Sequence, residues 1–123
     1  MIGIIKDIQN NTYDTFIYRI LLDRNIKFQS GNFIKFKIER DDIVTKPYSI
    51  ASPGGFTNEI EFAIKIYEDG LFTNQLKRKA VGDKLYLDGP YGDFYFDEFI
   101  KGDVVLISAG SGISTNRSIY RYI

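Results

Sequence analysis

The stretch Glu59-Ile60-Glu61-Phe62-Ala63-Ile64-Lys65-Ile66 spaces Ile60, Phe62, Ile64 and Ile66 two residues apart, with Glu59, Glu61, Ala63 and Lys65 between them. A period of two sends alternate side chains to opposite faces of a pleated strand, so the segment reads as a half-buried antiparallel strand. The same texture extends outward from it. Ile34, Phe36 and Ile38 alternate with Lys35, Lys37 and Glu39, and Tyr13–Asp23 carries Phe16, Tyr18, Ile20 and Leu22 at the same spacing. Turn signals at Asn10-Asn11, Ser30-Gly31-Asn32, Pro53-Gly54-Gly55 and Glu68-Asp69-Gly70 separate these runs. Short strands so punctuated predict an all-β barrel or sandwich.

One helix interrupts the strands. Leu71–Lys79 carries its cations in the last turn, where the helix dipole favours them, and Gly70 permits a tight entry. Lys84–Asp88 resumes as a strand and runs into the turn Gly89-Pro90-Tyr91-Gly92. Near residue 103 the texture changes. Val104-Val105-Leu106-Ile107 is apolar on both faces, as a central parallel strand is, and Gly110-Ser111-Gly112 and a helical stretch from Ser114 to Ile123 come after it. A strand, a glycine loop and a helix open an α/β nucleotide-binding unit. A lone strand and helix cannot cover both strand faces, so residues 104–123 are expected to be poorly ordered, packed on the barrel, or covered by a partner chain or second copy.

Composition narrows the chemistry. The 123 residues allow one domain with a short appendage, and nine Tyr and ten Phe among 44% hydrophobic residues describe a globular chain. Sixteen basic and sixteen acidic residues balance, which argues against a general polyanion binder; Lys77-Arg78-Lys79 reads as a solvated helix end rather than a binding patch. The chain contains no Cys and no His, which excludes thiol nucleophiles, disulfides, imidazole catalysis and the usual zinc sites. Redox chemistry would therefore need an organic cofactor. No apolar run approaches the roughly 20 residues of a membrane span, and no signal peptide is evident, so a cytoplasmic protein is expected.

Lys46-Pro47-Tyr48-Ser49-Ile50-Ala51-Ser52 resembles the flavin motif of the ferredoxin–NADP reductase family, Arg-x-Tyr-Ser followed by a small apolar run. The resemblance implies that Lys46 neutralises a cofactor phosphate, that Tyr48 lies against the isoalloxazine ring and that Ser49 hydrogen-bonds at flavin N5; Tyr48 and Ser49 are thus the candidate catalytic pair. Lys46 stands where the family usually has Arg, which leaves a point charge in place of a bidentate fork. Ala63-Ile64-Lys65, followed by Gly70-Leu71-Phe72-Thr73, is similar to the family's strand and Gly-x-x-Ser/Thr turn, where helix amides receive the pyrophosphate. Taken alone, Thr73 reads rather as a helix cap. Two phosphate-directed elements favour FAD over FMN. Val81-Gly82-Asp83-Lys84-Leu85 with Gly89-Pro90-Tyr91-Gly92-Asp93-Phe94 looks like the family's barrel close. Ser108-Ala109-Gly110-Ser111-Gly112-Ile113, with Arg117-Ser118, resembles its nicotinamide pyrophosphate loop, in which Ser111 is the candidate contact. Thr115 and Asn116 depart from the family's Pro and aromatic there.

The resemblance implies a six-stranded antiparallel Greek-key barrel with one short helix over residues 1–100, binding FAD, and an incomplete NAD(P)-binding domain over 101–123. It implies an oxidoreductase in which NAD(P)H gives a hydride to flavin N5 and electrons pass to a redox partner such as ferredoxin or an oxygenase component. Most of the nicotinamide domain is absent from the sequence, so the chain is expected to hold FAD but to turn over NAD(P)H poorly. Asp88, Asp93, Asp97 and Glu98 read as a solvated loop rather than an acid–base pair. Two alternatives stand beside this reading. One is a small barrel binding single-stranded nucleic acid, disfavoured by the balanced charge and the glycine loop. The other is a non-catalytic subunit that partners a separate reductase chain.

Overall fold

The computed structural model describes residues 1–123. Six strands form one sheet: β1 (Ile2–Asn10), β2 (Thr15–Phe28), β3 (Phe33–Lys37), β4 (Lys46–Ser49), β5 (Gly55–Lys65) and β6 (Lys84–Tyr91). Their order is β4-β3-β6-β1-β2-β5, with every pair antiparallel. The alternation read in the sequence is the one that folds. Ile60, Phe62 and Ile64 of β5, Ile34 and Phe36 of β3, and Ile20 and Leu22 of β2 all point into one core, joined by Leu85 and Leu87 of β6. Phe36 and Phe62 meet edge to face at its centre, with ring centroids 4.6 Å apart.

The sheet curls until its two outer strands face each other. The link across that seam comes from the residues just after β4. The Ala51 amide donates to the Glu61 carbonyl of β5 at 2.7 Å and the Glu61 amide donates to Ser52 Oγ at 3.0 Å, while the Ile50 amide continues the pairing with the β3 side at the Asn32 carbonyl, 3.0 Å away. Gly54 passes so close to the Ser30 backbone that a Cβ there would lie 2.6 Å from the Ser30 nitrogen. At that point, where β5 begins beside the end of β2, backbone lies against backbone, which only glycine permits.

Element boundaries shift from the sequence reading in five places. The strand expected at Tyr13–Asp23 continues to Phe28, across an irregularity in its pairing with β5 between Leu21 and Ile26. Gly55 opens β5 instead of closing a turn, and Gly89-Pro90 lies inside β6. Helix α1 spans Leu71–Lys77 and caps at Arg78, two residues short of the expected end. The apolar run Val104–Ile107 forms no strand. It belongs to no strand pairing, with Val105 80% and Ile107 87% exposed. A strand exists only through its ladder, and no segment of the chain offers one here. The C-terminal residues do fold: a 3₁₀ turn at Gly110–Gly112 leads into helix α2 (Ile113–Tyr122), which packs on the barrel. No helix is long and apolar enough to cross a membrane.

Candidate functional site

Beside the seam, an open cleft of about 820 Å³ separates β4 from the start of α1. Lys46 and Tyr48 line it from β4, and Gly70, Leu71, Phe72 and Thr73 line it from the helix. Two segments more than twenty residues apart in sequence thus form the walls of one groove. The pairing of β4 with β3 accounts for the first wall. Lys46 pairs with Phe36 and Tyr48 with Ile34, so both β4 side chains share the face of those core residues, at the edge of the sheet where that face opens.

Tyr48 is half-buried. Its ring stands edge-on to Phe36 at 5.5 Å and tilted by 32° to Phe72 at 5.8 Å, which gives the cleft an aromatic wall contributed by both segments. Burial, with smaller contributions from Tyr18 and Tyr67, pushes the Tyr48 hydroxyl up to about 12. The phenol is therefore neutral across the physiological range. Lys46 is exposed and makes no ion pair, so its charge is available to a ligand. Asp42 and Asp69 also stand at the cleft, which makes its field uneven.

The turn before α1 is held by Thr73. Its buried hydroxyl accepts from the Tyr67 amide at 3.1 Å and lies 3.2 Å from the Tyr67 carbonyl and 3.4 Å from that of Gly70. The hydroxyl is thus engaged within the turn, and the reading of Thr73 as a local fastener describes its contacts here. Gly70 is needed for the same reason: a Cβ at that position would lie 2.5 Å from Thr73 Oγ. No side chain caps α1, so the amides of its first turn have neither a side-chain cap nor an intrahelical acceptor.

The remaining candidates lie elsewhere. Pro47 and Ser49 occupy the alternate positions of β4, on the face opposite Tyr48, with Ser49 paired to Phe33. Ile64 is in the core, and Lys65 is tied to Asp14 at 3.5 Å and lies over the Tyr67 ring. The Ala63 carbonyl accepts from Ser114 Oγ at 3.4 Å, so this part of β5 meets α2 and not the cleft. Ser111 is exposed on the 3₁₀ turn.

A polar cluster that the sequence reading did not assign occupies the seam. Glu61, 7% exposed, accepts from Arg117 Nη1 and Arg121 Nη1, each at 2.6 Å, and from Arg19 Nη2 at 3.4 Å. Burial alone would push this carboxyl up, but the hydrogen bonds and charges of Arg117 and Arg121 outweigh it and hold Glu61 below its ordinary value. Its partners lie 42 to 60 positions away, beyond any local sequence signal.

The sequence model of the oxidoreductase FAD-binding domain family matches residues 3–96, and the chain belongs to that family. It is 35% identical over 101 residues to the reductase component of phenol 2-monooxygenase from Pseudomonas sp. strain CF600, covering 81% of this chain and 28% of the relative. An NADH-cytochrome b5 reductase-like protein of Homo sapiens is 29% identical over 106 residues, covering 84% of this chain and 34% of that protein. Among solved structures, the ferredoxin reductase in carbazole 1,9a-dioxygenase superposes with a TM-score of 0.90 at 27% identity, over 98% of this chain and 37% of that one. The chain thus spans about a third of the length of these relatives.

Proposed function

We propose that the cleft between β4 and α1 holds FAD and that the barrel serves as the flavin-bearing part of an NAD(P)H-dependent electron-transfer oxidoreductase. The observation that carries the reading is the convergence of Lys46, Tyr48 and the Gly70–Thr73 turn on one groove. The groove fits the group in size and in chemistry. Its volume falls within the roughly 300–1,000 Å³ of cofactor sites, and it pairs an aromatic wall with an uncommitted cation and a helix start.

In this reading Tyr48 offers its ring face to the isoalloxazine. Lys46 and the first turn of α1 would receive the diphosphate, with Asp42 and Asp69 at the same cleft opposing it. Thr73 acts by shaping the turn, because its hydroxyl is already engaged. The part assigned to Ser49, a hydrogen bond at N5, requires the flavin ring to reach past the end of β4, since Ser49 lies on the other face of the strand. Bound FAD would supply the redox chemistry, accepting hydride at N5. The protein orients the ring and excludes water from one side of it.

The relatives include the reductase component of a monooxygenase, the electron transfer component of a dioxygenase and the reductase subunit of a further monooxygenase. By that kinship we assign this chain a nicotinamide dinucleotide as electron donor and a redox protein or oxygenase component as acceptor. Residues 101–123 are read as the opening of the nicotinamide-binding unit, with Ser111 at its glycine turn. Titration of the purified chain with FAD and separately with FMN, followed by flavin absorbance and fluorescence, tests the reading. Saturable binding of FAD, tighter than that of FMN, is expected. A chain that ignores both flavins refutes it.

A further inference from the structure

The seam cluster does more than join α2 to the barrel. Resting on the FAD reading, we infer that Arg117 and Ser118 are positioning residues for the flavin cleft, gripping the chain immediately after Ser49 and thereby coupling α2 to the wall that carries Tyr48.

The geometry is specific. Residues 50–52 leave β4 and cross to β5, where the amides of Ile50 and Ala51 find acceptors at Asn32 and Glu61. The carbonyls of Ala51 and Ser52 take their donors from α2: Arg117 Nη1 donates to the Ala51 oxygen at 2.9 Å, and Ser118 Oγ donates to the Ser52 oxygen at 2.6 Å. The same Arg117 nitrogen binds Glu61 Oε2, and Ser52 Oγ accepts from the Glu61 amide. In the reverse direction, Ser30 Oγ donates to the Ser118 carbonyl at 3.2 Å while accepting from the Gly54 amide at 2.8 Å. Ser30, Ser52 and Ser118 are all buried, so the bonds they make are shielded from water.

Helix α2 therefore supplies side-chain donors to carbonyls at the seam. β4 has only four residues and one strand neighbour, so its far end depends on what holds residues 50–52. Removing the α2 donors would leave two carbonyls of that crossing without partners and free Tyr48 and Ser49 to shift.

The test uses the full 123-residue chain with Ser118→Ala, Arg117→Ala and Arg117→Lys. For each, FAD affinity and the visible circular dichroism of bound flavin are measured well below the melting temperature. Leu85→Ala, a core truncation in β6, serves as a control that lowers stability without touching the latch. Ser118→Ala and Arg117→Ala are expected to weaken FAD binding on the order of tenfold, as loss of one or two buried hydrogen bonds implies, and to alter the flavin dichroism. Arg117→Lys should restore part of both, and Leu85→Ala should change neither. Should Arg117→Ala fail to fold, Ser118→Ala carries the comparison. If the latch variants melt earlier yet bind FAD with unchanged affinity and dichroism, the role is structural only and the inference fails. A wild-type chain that does not bind FAD overturns the FAD reading itself, and the inference with it.

Discussion

At the residue scale, the cleft depends on one ring and one cation. Tyr48 contributes a flat apolar face backed by Phe36 and Phe72, so Tyr48→Phe keeps the surface whereas Tyr48→Ala removes it. Losing the ring's burial and stacking costs about 1.5–3 kcal/mol, so the Ala variant should bind FAD on the order of 10–100-fold more weakly, while the Phe variant stays within a few fold. Fluorescence titration reads both, and equal weakening in the two would deny the ring its part. Lys46 presents a point charge, and Lys46→Arg restores a planar fork suited to phosphate oxygens. Tighter FAD binding is expected, together with a smaller loss of affinity as salt is raised. The residue types at these positions are legible in the sequence, and the structure brings Lys46 and Tyr48 to one cleft. What Thr73 does was not, since a hydroxyl that fastens Tyr67 and one that meets a phosphate look identical in sequence.

At the element scale, strands were legible where one face is buried throughout. Ile60, Phe62 and Ile64 show this, and the structure buries all three. β1 was not read from the sequence, and its register with β2 shifts between Ile5 and Asp7, which breaks the alternation. Val104–Ile107 misled for the opposite reason: four consecutive apolar residues satisfy the pattern of a central strand, but a pattern cannot supply the neighbours that a strand needs. Helix α2 formed as expected, yet its mooring at Glu61 lay outside any local window.

That mooring makes stability depend on pH. The Glu61 carboxyl sits below its unfolded value of about 4.3, so acid protonates the unfolded chain first. The stabilisation is complete above the unfolded value and drains away as pH falls through the folded one. Glu61→Gln should therefore lower stability at neutral pH, by on the order of 1–3 kcal/mol, and flatten the decline in melting temperature on acidification. Parallel acid limbs for the two proteins would place the dependence elsewhere.

At the scale of the whole molecule, the barrel and α2 are bridged by a segment of a different kind. Phe96 is anchored by its amide to the Ser30 carbonyl at 2.8 Å, and α2 is anchored at the seam, but the backbone from Lys101 to Ser108 belongs to no helix or strand. Limited trypsin digestion should therefore cut first after Lys101, ahead of the basic residues within strands, and mass spectrometry of the early products identifies the bond. First cleavage inside β2 or β5 would contradict the fold described.

The bridging segment also settles how strongly α2 must hold. Residues 97–112 keep the helix beside its dock as a tethered ligand, at an effective concentration in the millimolar range for a short flexible connection. The four hydrogen bonds that Ser114, Arg117 and Ser118 make with the barrel, with the ion cluster at Glu61, then need only hold a helix that is already in place. A synthetic peptide matching α2, added at micromolar levels, would compete poorly with its own covalently attached copy, and lengthening the tether would loosen the dock without altering a single contact.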